Sequence, residues 1–582
     1  MERRVFVAIL LSFVVLYGYQ ALFPPPAQQS SSTGSTPASQ PQEAPITSDA
    51  PVGSGTIQPD VEPPAAIEFE ALTTEGAERE IVVDTAQVQA VLSNRGARVL
   101  RWRLKEYKDG KGEPLDLVPT GVPAEQPRPL SLVVDDAAVT RRLNNALYRV
   151  SGDVGGHVDA TAKPATLVFE FQDAAGLRAR KELTFESRGY VLGVAATVND
   201  GAQSLNPAIA WGPGLGDAGA VAGGGSFLTG NYTQPPEAIY HRDGDVERVT
   251  GTSLAEQPVH EGKFRFVGVD DHYFVVAAID PGEARVRYEL VTLPGANDTQ
   301  RLLVAQSIRV AEPLRVVRFF VGPKQFDALQ PVDPELTRAI NFGMFRVLSV
   351  PLLTALKWVY GFVGNYGWAI IILTILINLA VAPLRHKSVV SMRKMQALQP
   401  QLKAIQDHYS GLKGSDPARQ KMNTEIMNLY RERGVNPASG CIPMVLMMPI
   451  LFAFYSLLSQ SIELRGAEFG LWIRDLSEHD PYYVTPVLMA ATMFWQQWIT
   501  PTASDPAQQK IMMLMPLMFG VMFLWVPSGL VIYWFVGNLW AIGQQYFTNW
   551  LIGPPAAATV RPPAERRMKN AGSGHSAGAR KD

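Results

Sequence analysis

The fifty residues from 511 to 560 contain no Asp, Glu, Lys or Arg. Across residues 438–552, 9 of 115 side chains are charged, about 8%, whereas in residues 66–330 the count is 63 of 265, about 24%. The larger fraction is ordinary for a soluble domain, and the smaller one is typical of a chain that lies in lipid. The whole chain, with 582 residues and a net charge of −2, therefore averages two unlike halves.

Six stretches are apolar enough to form transmembrane helices, which need about 20 residues each. We expect these spans at residues 1–23, 366–384, 438–462, 482–500, 511–526 and 530–551. Pro527-Ser528-Gly529 divides the charge-free run, which predicts a tight hairpin between the last two spans. No A-x-A cleavage site follows the first span, so we interpret it as an uncleaved signal anchor rather than a cleaved signal peptide.

The distribution of basic residues predicts the topology. Residues 385–437 contain ten Lys or Arg against four Asp or Glu, and the tail 561–582 contains six against two. Residues 463–481 contain two against five. Because positively charged loops stay in the cytoplasm, we expect both termini and the 385–437 connection on the cytoplasmic side. The domain at 66–333 and the 463–481 loop are then on the outer side.

The segments outside the spans differ in composition. Residues 24–65 are rich in Pro, Ser, Gln and Ala, which predicts a disordered linker. Residues 66–333 contain β-branched and aromatic runs separated by Gly and Pro turns, which predict a large all-β sandwich with a hairpin from Leu167 to Phe185. We expect a helix along the membrane surface at 334–350, an α-helical membrane core at 351–552, and a basic tail at 553–582.

Residues 386–436 are predicted to form a helical hairpin, with Gly411 and Gly414 at the turn. Its basic residues include Arg393, Lys394 and Lys403. One interpretation is a hairpin packed on itself with a solvated basic face. The other is a cytoplasmic handle for a ribosome, a nascent chain or anionic lipid headgroups.

Three spans each carry a polar stripe at helical spacing. The stripes comprise Thr374, Asn378 and Arg385 in the second span, Thr492 and Gln496 in the fourth, and Tyr533, Trp534, Asn538 and Gln545 in the last. Polar side chains are costly in lipid and usually face a protein interior or a wet cavity. The stripes predict either a polar cleft open to the cytoplasm or interhelical hydrogen bonds, with Arg385 extending towards the membrane surface.

The third and fifth spans are rich in methionine and aromatic residues. Their candidate contact residues are Met448, Phe452, Tyr455, Met513 and Met518. Methionine surfaces adapt to varied apolar partners, which suggests a surface for apolar helices. Core packing or plain lipid exposure is the alternative.

Several kinds of chemistry lack their usual sequence motifs. The chain has no P-loop, no H-E-x-x-H and no G-x-S-x-G motif. Its single cysteine, Cys441, excludes an intramolecular disulfide and zinc sites with several thiolates. The four histidines of the β domain have no metal-ligand spacing. No Asp or Glu lies within the apolar runs of the predicted spans, the first of which extends from Val5 to Phe23. We therefore expect no catalytic residue, no cofactor and no metal.

The membrane half resembles the YidC/Oxa1/Alb3 family of membrane protein insertases, of the Gram-negative bacterial type. The motifs that carry the resemblance are, in chain order, Asn436-Pro437, Gly440-Cys441 with Pro443, Met448-Pro449, Leu471-Trp472, Asp475-Leu476, Asp480 to Tyr483, Gln508 to Met512 with Pro516, and Leu524-Trp525 with Pro527 to Leu530. The resemblance covers residues 335–550 strongly, and it covers the β domain by its position and its hairpin.

The resemblance implies a multi-pass protein of the inner membrane with a periplasmic β domain. It implies insertion of nascent membrane proteins, alone or with Sec translocon components and a transiently bound ribosome, without nucleotide or metal. Five core spans would form a hydrophilic groove open to cytoplasm and lipid. The polar stripes would line that groove, and the Met-rich spans would form a slide for the substrate helix. A secondary transporter and a membrane-anchored carbohydrate-active protein are the alternative functions.

The sequence departs from the family pattern in the predicted groove. The family usually carries an arginine five residues before the proline of the second span, which here is Pro383, so the position is Asn378. Met447 occupies a position where relatives often have glutamine. We hypothesise that Arg385, about 10 Å from Asn378 along the helix axis, supplies the charge nearer the cytoplasmic mouth. Arg385→Ala and Asn378→Arg should then shift the insertion of acidic substrates in opposite directions.

Overall fold

The computed structural model describes residues 76–109, 111–123, 126–216, 234, 236–294, 300–312, 315–409, 417–434, 442–500 and 506–553. The predictions for the first span, the 24–65 linker, the hairpin glycines, Cys441 and the tail beyond residue 553 lie outside the described residues.

The described part of residues 80–323 is built from strands. They are β1 Glu80–Asp84, β2 Val88–Ser93, β3 Arg98–Lys108, β4 Pro114–Asp116, β5 Leu132–Val133, β6 Arg149–Ser151, β7 His157–Asp159, β8 Ala165–Gln172, β9 Leu177–Phe185, β10 Val191–Asp200, β11 Gln203–Leu205, β12 Ala208–Trp211, β13 Glu237–Arg242, β14 Asp245–Val249, β15 Val259–Asp270, β16 Phe274–Pro294, β17 Gln300–Val310 and β18 Val317–Pro323. Three short helices, α1 Ala137–Asn145, α2 Gly251–Glu256 and α3 Phe326–Leu329, accompany them. The predicted all-β class of this region is confirmed.

The strands form two sheets. The five-stranded sheet has the order β4-β3-β2-β1-β7, and the thirteen-stranded sheet follows the path β14-β13-β15-β16-β18-β10-β9-β8-β6 with β11, β17, β12 and β5 attached. Every strand pair among the described residues is antiparallel except β1 with β7. The predicted hairpin is β8–β9, where the Asp173 carboxylate accepts hydrogen bonds from the amides of Ala175 and Leu177 in the turn.

Two buried side chains join the sheets. Trp102 of β3 donates from Nε1 to the carbonyl of Val321 in β18 at 3.0 Å. Lys181 of β9, which is fully buried, donates from Nζ to the carbonyls of Gly96, Ala97 and Leu130 at 2.7, 3.1 and 2.6 Å. Because an ammonium has three donors, these carbonyls use its full hydrogen-bonding capacity.

The rest of the described chain is helical. The helices are α4 Arg346–Val363, α5 Tyr366–Ala397, α6 Gln399–His408, α7 Pro417–Glu432, α8 Ile442–Gln460, α9 Val484–Ile499, α10 Pro506–Met522 and α11 Ser528–Ile552. Within the described ranges, residues 343–363 and 366–397 are long and apolar enough to cross a membrane, and residues 447–460 and 512–525 form shorter apolar helices. The helix α11 contacts α5, α9 and α8, so it lies at the centre of this half.

The region predicted as one helix at 334–350 is different in the structure. It contains two 3-10 turns, Pro334–Ala339 and Gly343–Phe345, and the regular helix α4 begins only at Arg346. Gly343 has a φ of +57°, which interrupts a right-handed helix. Helix α4 ends at Gly364, also at positive φ, and the side chain of Asn365 caps α5 by accepting from the amide of Trp368 at 3.1 Å.

Helix α5 continues past the expected end of the second span at residue 384 and runs to Ala397. Pro383 lies inside it without ending it. The sequence pattern placed residues 386–397 in a separate hairpin, but in the structure they continue helix α5. The remaining hairpin consists of α6 and α7, which pack against each other.

The β domain contacts the helical half near the end of α8. His272 Nε2 lies 2.8 Å from the carbonyl oxygen of Ser459, and the guanidinium of Arg465 lies 5.2 Å from the ring centroid of Phe274. Lys357 of α4 pairs with Asp327 and lies 3.7 Å from the Glu463 carboxylate. Burial raises the pKa of Glu463, and the Lys357 ammonium partly opposes that change.

Lys181→Met should destabilise the β domain by about 3 kcal/mol or more, because three buried carbonyls lose their hydrogen-bond donor. Lys163→Met is the matched control, since Lys163 is exposed. Urea unfolding of the full-length protein, followed by proteolysis of the β domain, measures the difference. Equal unfolding midpoints for the two variants would show that Lys181 does not stabilise the packing of the sheets.

Candidate functional site

A cavity of about 730 Å³, here called the first cavity, lies among α5, α8, α9, α10 and α11. Its lining changes along its length. The polar lining residues are Arg385, Ser388, Gln496, Thr500, Gln544 and Gln545, and the apolar lining towards the start of α11 includes Phe519, Met522, Phe523, Val526 and Leu530. The first cavity thus has a polar end, near residues 385–388, and an apolar end, near residues 523–530.

The 463–481 loop contacts the first turn of α11, next to the apolar end of the first cavity. The backbone amides of Ser528 and Gly529, at the start of α11, donate to the carbonyls of Glu478 and Leu476 at 2.7 and 2.9 Å. The hydroxyl of Ser528 donates to the carbonyl of Asp475 at 3.1 Å. The amide groups of the first helical turn have no partner within the helix, so the loop supplies acceptors for them. This contact gives a physical role to the Asp475-Leu476 and Pro527-Ser528-Gly529 motifs.

Asp480 fixes the other end of the same loop to α9. Its carboxylate accepts from Trp472 Nε1 at 2.9 Å, from the amide of Tyr482 at 3.0 Å, and from the amide and hydroxyl of Thr485 at 2.8 and 2.9 Å. Burial alone would raise the pKa of Asp480, but these hydrogen bonds outweigh it and the pKa is lowered. The carboxylate therefore stays ionised and holds the loop in place.

In the second span, the predicted stripe forms a chain of contacts. The Thr374 hydroxyl donates to the carbonyl of Ile370 at 2.6 Å, and the Asn378 amide donates to the carbonyl of Thr374 at 2.8 Å. Both side chains are buried. Arg385 Nη1 lies 3.5 Å from Asn378 Oδ1, so the guanidinium points back along the helix from the lining of the first cavity.

Some of the predicted polar residues of the other two spans are buried between helices, and the others line the first cavity. Asn538 donates to the hydroxyl of Thr492 at 3.3 Å and joins α11 to α9, while Tyr533 stacks on Phe454 of α8 at 4.3 Å. These side chains are buried at helix interfaces. Of the nine predicted groove residues, those that line the first cavity are Arg385, Gln496, Trp534 and Gln545. The structure thus contains interhelical hydrogen bonds and a cavity with a mixed lining, and the opening of that cavity to the cytoplasm stays a prediction.

The predicted slide is also divided. Met448, Phe452 and Tyr455 are exposed by 39%, 43% and 38% and line the first cavity. Met513 and Met518 lie on α10 but are not part of the lining, and Met518 is 59% exposed. Residues from α8 that were expected to face a substrate helix therefore face the same space as Arg385.

Sequence reasoning missed Ser388, Val389 and Met392, which line the polar end. They follow Arg385 by three, four and seven residues, which is the spacing of one helix face. Continuing the helical pattern beyond Pro383 predicts all three positions. They were assigned to a separate hairpin because the span was expected to end at residue 384.

The basic residues of the predicted hairpin have different surroundings. Arg393 Nη1 donates to the carbonyl of Gly553 at 2.7 Å, just beyond the end of α11. Lys394 and Lys403 are exposed. Arg393 therefore satisfies a helix-end carbonyl, which favours a structural role for it.

Within the ranges that the structure describes, no group of three or more His, Cys, Asp or Glu residues could hold a metal ion. The chemical resources of the first cavity are one guanidinium, amides, hydroxyls and a flexible apolar surface. Such a set can bind a polar or acidic segment next to an apolar one.

Comparisons with known proteins cover both halves of the chain. The family model described as "60Kd inner membrane protein" matches residues 358–553, and the model described as "YidC periplasmic domain" matches residues 80–355. The chain is 34% identical over 568 residues to "Membrane protein insertase YidC" of Maridesulfovibrio salexigens, covering 94% of this chain and 98% of the relative. The relative of the same name from Geobacter metallireducens has the same identity and coverage.

Among solved structures, a crystal structure of an active YidC insertase covers 82% of this chain and 94% of its own, with a TM-score of 0.33 and 18% identity. The family assignment is carried by the sequence matches.

The polar end of the first cavity should admit water. In a Cys441→Ser background, Gln496→Cys should react with a water-soluble maleimide about tenfold faster than Thr492→Cys, because Gln496 lines the cavity and Thr492, one turn earlier, is buried. Labelling rates of the purified protein in lipid nanodiscs measure this difference. Equal rates at the two positions would show that the polar end is not hydrated.

Proposed function

The chain belongs to the YidC family of membrane protein insertases, and from this premise we propose that the first cavity receives the polar flank of a nascent membrane protein. The observation that carries the proposal is the arrangement of the first cavity, which has polar side chains at one end and an apolar end beside the contact between α11 and the 463–481 loop. A polar flank can enter it from the polar end without crossing lipid unaided. The apolar segment that follows is then released sideways into the bilayer.

We propose six spans, namely residues 1–23 together with α5, α8, α9, α10 and α11. The charge bias of the connecting segments supports cytoplasmic termini, a cytoplasmic α6–α7 hairpin and a periplasmic β domain. In this topology the polar end of the first cavity faces the cytoplasm of the cell and the apolar end faces the periplasm.

We place α4, rather than residues 334–350, along the periplasmic membrane surface. Its side chains Val347, Trp358 and Phe362 are 82%, 63% and 73% exposed, as expected of an apolar face in contact with lipid. Lys357, midway along the helix, pairs with Asp327 and approaches Glu463, which suits a surface position better than a span.

The free energy for insertion comes from the substrate, since apolar residues favour the bilayer by about 0.3–0.6 kcal/mol each at its centre. The insertase only needs to lower the cost of moving the polar flank. The amides, hydroxyls and guanidinium at the polar end replace part of the water around that flank. Met448, Phe452 and Tyr455 offer the neighbouring apolar segment an adaptable surface. No step requires a covalent intermediate, a nucleotide or a cofactor.

The charge supplied by Arg385 lies deeper than its helix position suggests. The guanidinium reaches Asn378, the position where the family usually has arginine. An arginine seven residues further along α5, about two helical turns, can thus bring its guanidinium next to position 378. This contact supports the hypothesis that Arg385 substitutes for the absent family arginine, without the shallow reach expected from the sequence.

Two further classes of partner are proposed. The exposed Lys394, near the end of α5, and Lys403, on α6, suit transient contact with ribosomal RNA or anionic headgroups. Sec translocon components are proposed partners by analogy with the family. The relatives named above are insertases, so the transporter and carbohydrate-active alternatives have no support.

Arg385→Ala should reduce the insertion of substrates with an acidic flank about tenfold, since a hydrogen bond to a charged group contributes about 1.5–3 kcal/mol. Adding Asn378→Arg to Arg385→Ala should restore insertion, because it returns a guanidinium to the same space. Asn378→Arg alone places two cations side by side and is a poorer test than the double variant.

The measurement is insertion of acidic-flank and neutral-flank versions of one substrate in cells depleted of the native insertase. The neutral version is the control and should be little affected. If Arg385→Ala leaves the acidic version unchanged, the proposed role of Arg385 is wrong.

A photoreactive residue at Phe452 should crosslink to a stalled nascent membrane protein, because this side chain is exposed to the first cavity. The matched control is Phe454, which is fully buried two residues away on the same helix. A probe at Met513 tests the remaining part of the predicted slide. Absence of adducts at Phe452, or equal adducts at Phe452 and Phe454, would contradict the proposed substrate path.

A further inference from the structure

A second cavity, of about 980 Å³, lies between α5 and α11. Most of its lining is apolar and includes Ile371, Ile375 and Leu379 from α5, and Val536, Leu539 and Phe547 from α11. Leu379, Leu539 and Phe547 are 56%, 43% and 60% exposed, so this lining is accessible from outside the helix pair.

The second cavity is separate from the first. Arg385 lines the first cavity, whereas the next two residues, His386 and Lys387, line the second. Gln544 borders both, and its Nε2 donates to the carbonyl of Ala382 at 2.7 Å, which joins α11 to α5 between the two spaces. A ligand of the second cavity is therefore not the segment proposed to enter the first.

One end of the second cavity is basic. Lys387 is exposed there, and no carboxylate pairs with it in the part of the chain that the structure describes. His386 lies beside it, with Nδ1 3.2 Å from the hydroxyl of Thr548. Neither α5 nor α11 contains an Asp or Glu. The local charge therefore favours an anion at this end.

The length of the apolar part distinguishes between possible occupants. Ile371 and Pro383, both in the lining, are twelve residues apart, or about 18 Å along α5 at 1.5 Å per residue. Half of the hydrocarbon core of a bilayer is about 15 Å thick, whereas a transmembrane helix needs about 30 Å. The cavity matches the acyl chains of one leaflet and is too short for a spanning helix.

We propose that the second cavity binds an anionic phospholipid of the cytoplasmic leaflet. Its acyl chains lie along Ile371, Ile375 and Leu379, and its phosphate lies at Lys387 and His386. Basic pockets between transmembrane helices on the cytoplasmic side are suited to such headgroups. The inference rests on the topology proposed above, but not on the path of the substrate. The bound lipid would fill the seam between α5 and α11.

The headgroup contact is tested by native mass spectrometry of the purified full-length protein. The protein is equilibrated with dioleoyl phosphatidylglycerol and dioleoyl phosphatidylcholine in equal amounts. We expect a retained phosphatidylglycerol in the native protein and about fivefold less retention in Lys387→Gln. Lys394→Gln, on the same helix but outside the cavity lining, is the matched control and should retain lipid normally. Glycerol phosphate, which has the headgroup charge without chains, should not displace the lipid.

The acyl contact is tested by filling the cavity. A Cβ at Gly543 would meet no atom within 4 Å, so Gly543→Leu can be accommodated, and its side chain would occupy the space of the acyl chains. Gly537→Leu is the control on the same helix, since Gly537 also has open space but is not part of the lining. We expect Gly543→Leu to lose lipid of both headgroup types and Gly537→Leu to retain it.

Equal retention of the two lipids by the native protein, or unchanged retention in Gly543→Leu, would overturn the proposal. A photoreactive residue at Leu539 distinguishes a bound phospholipid from a bound nascent chain. Adducts with phospholipid support the proposal, and adducts with a nascent chain instead of lipid overturn it. Because the lipid measurements use purified protein without substrate, they fail or succeed independently of the insertase function.

Discussion

The helical half depends on the contact between the 463–481 loop and the first turn of α11. The amides of Ser528 and Gly529 donate to carbonyls of Glu478 and Leu476, and Asp480 holds the same loop against the start of α9. In a membrane, backbone amides without partners are too costly to leave unpaired. The loop therefore fixes the position of the central helix, whose following residue Leu530 lines the apolar end of the first cavity.

The contact between α5 and α11 separates the two cavities near the polar end of the first. The Gln544 amide joins the two helices at Ala382, and the consecutive residues Arg385 and His386 face different cavities. One helix turn thus presents Arg385 to the first cavity and Lys387 to the second. Under the two proposals, this division separates the basic contact of the substrate flank from that of the lipid.

Particular residues show how far sequence patterns predicted the site. The helical spacing of Thr374, Asn378 and Arg385 placed them on one face, and the structure shows them in successive contact. The same spacing did not distinguish Gln496, which lines the first cavity, from Thr492, which bonds to Asn538. Both positions share a face, and only the neighbouring helix decides which is covered. Ser388 and Met392 were missed because Pro383 and the basic residues after it suggested the end of the helix.

The sequence by itself determined the two-part organisation, the all-β class of the β domain with its hairpin at β8–β9, and the charge bias of the loops, because these follow from local composition and periodicity. It also determined the family, because the motifs are contiguous in the chain. Only the tertiary structure decided that Lys181 joins the two sheets, that α5 is one continuous helix, and that Arg385 reaches Asn378. These features depend on which atoms of distant segments meet, and periodicity carries no information about the partner across an interface.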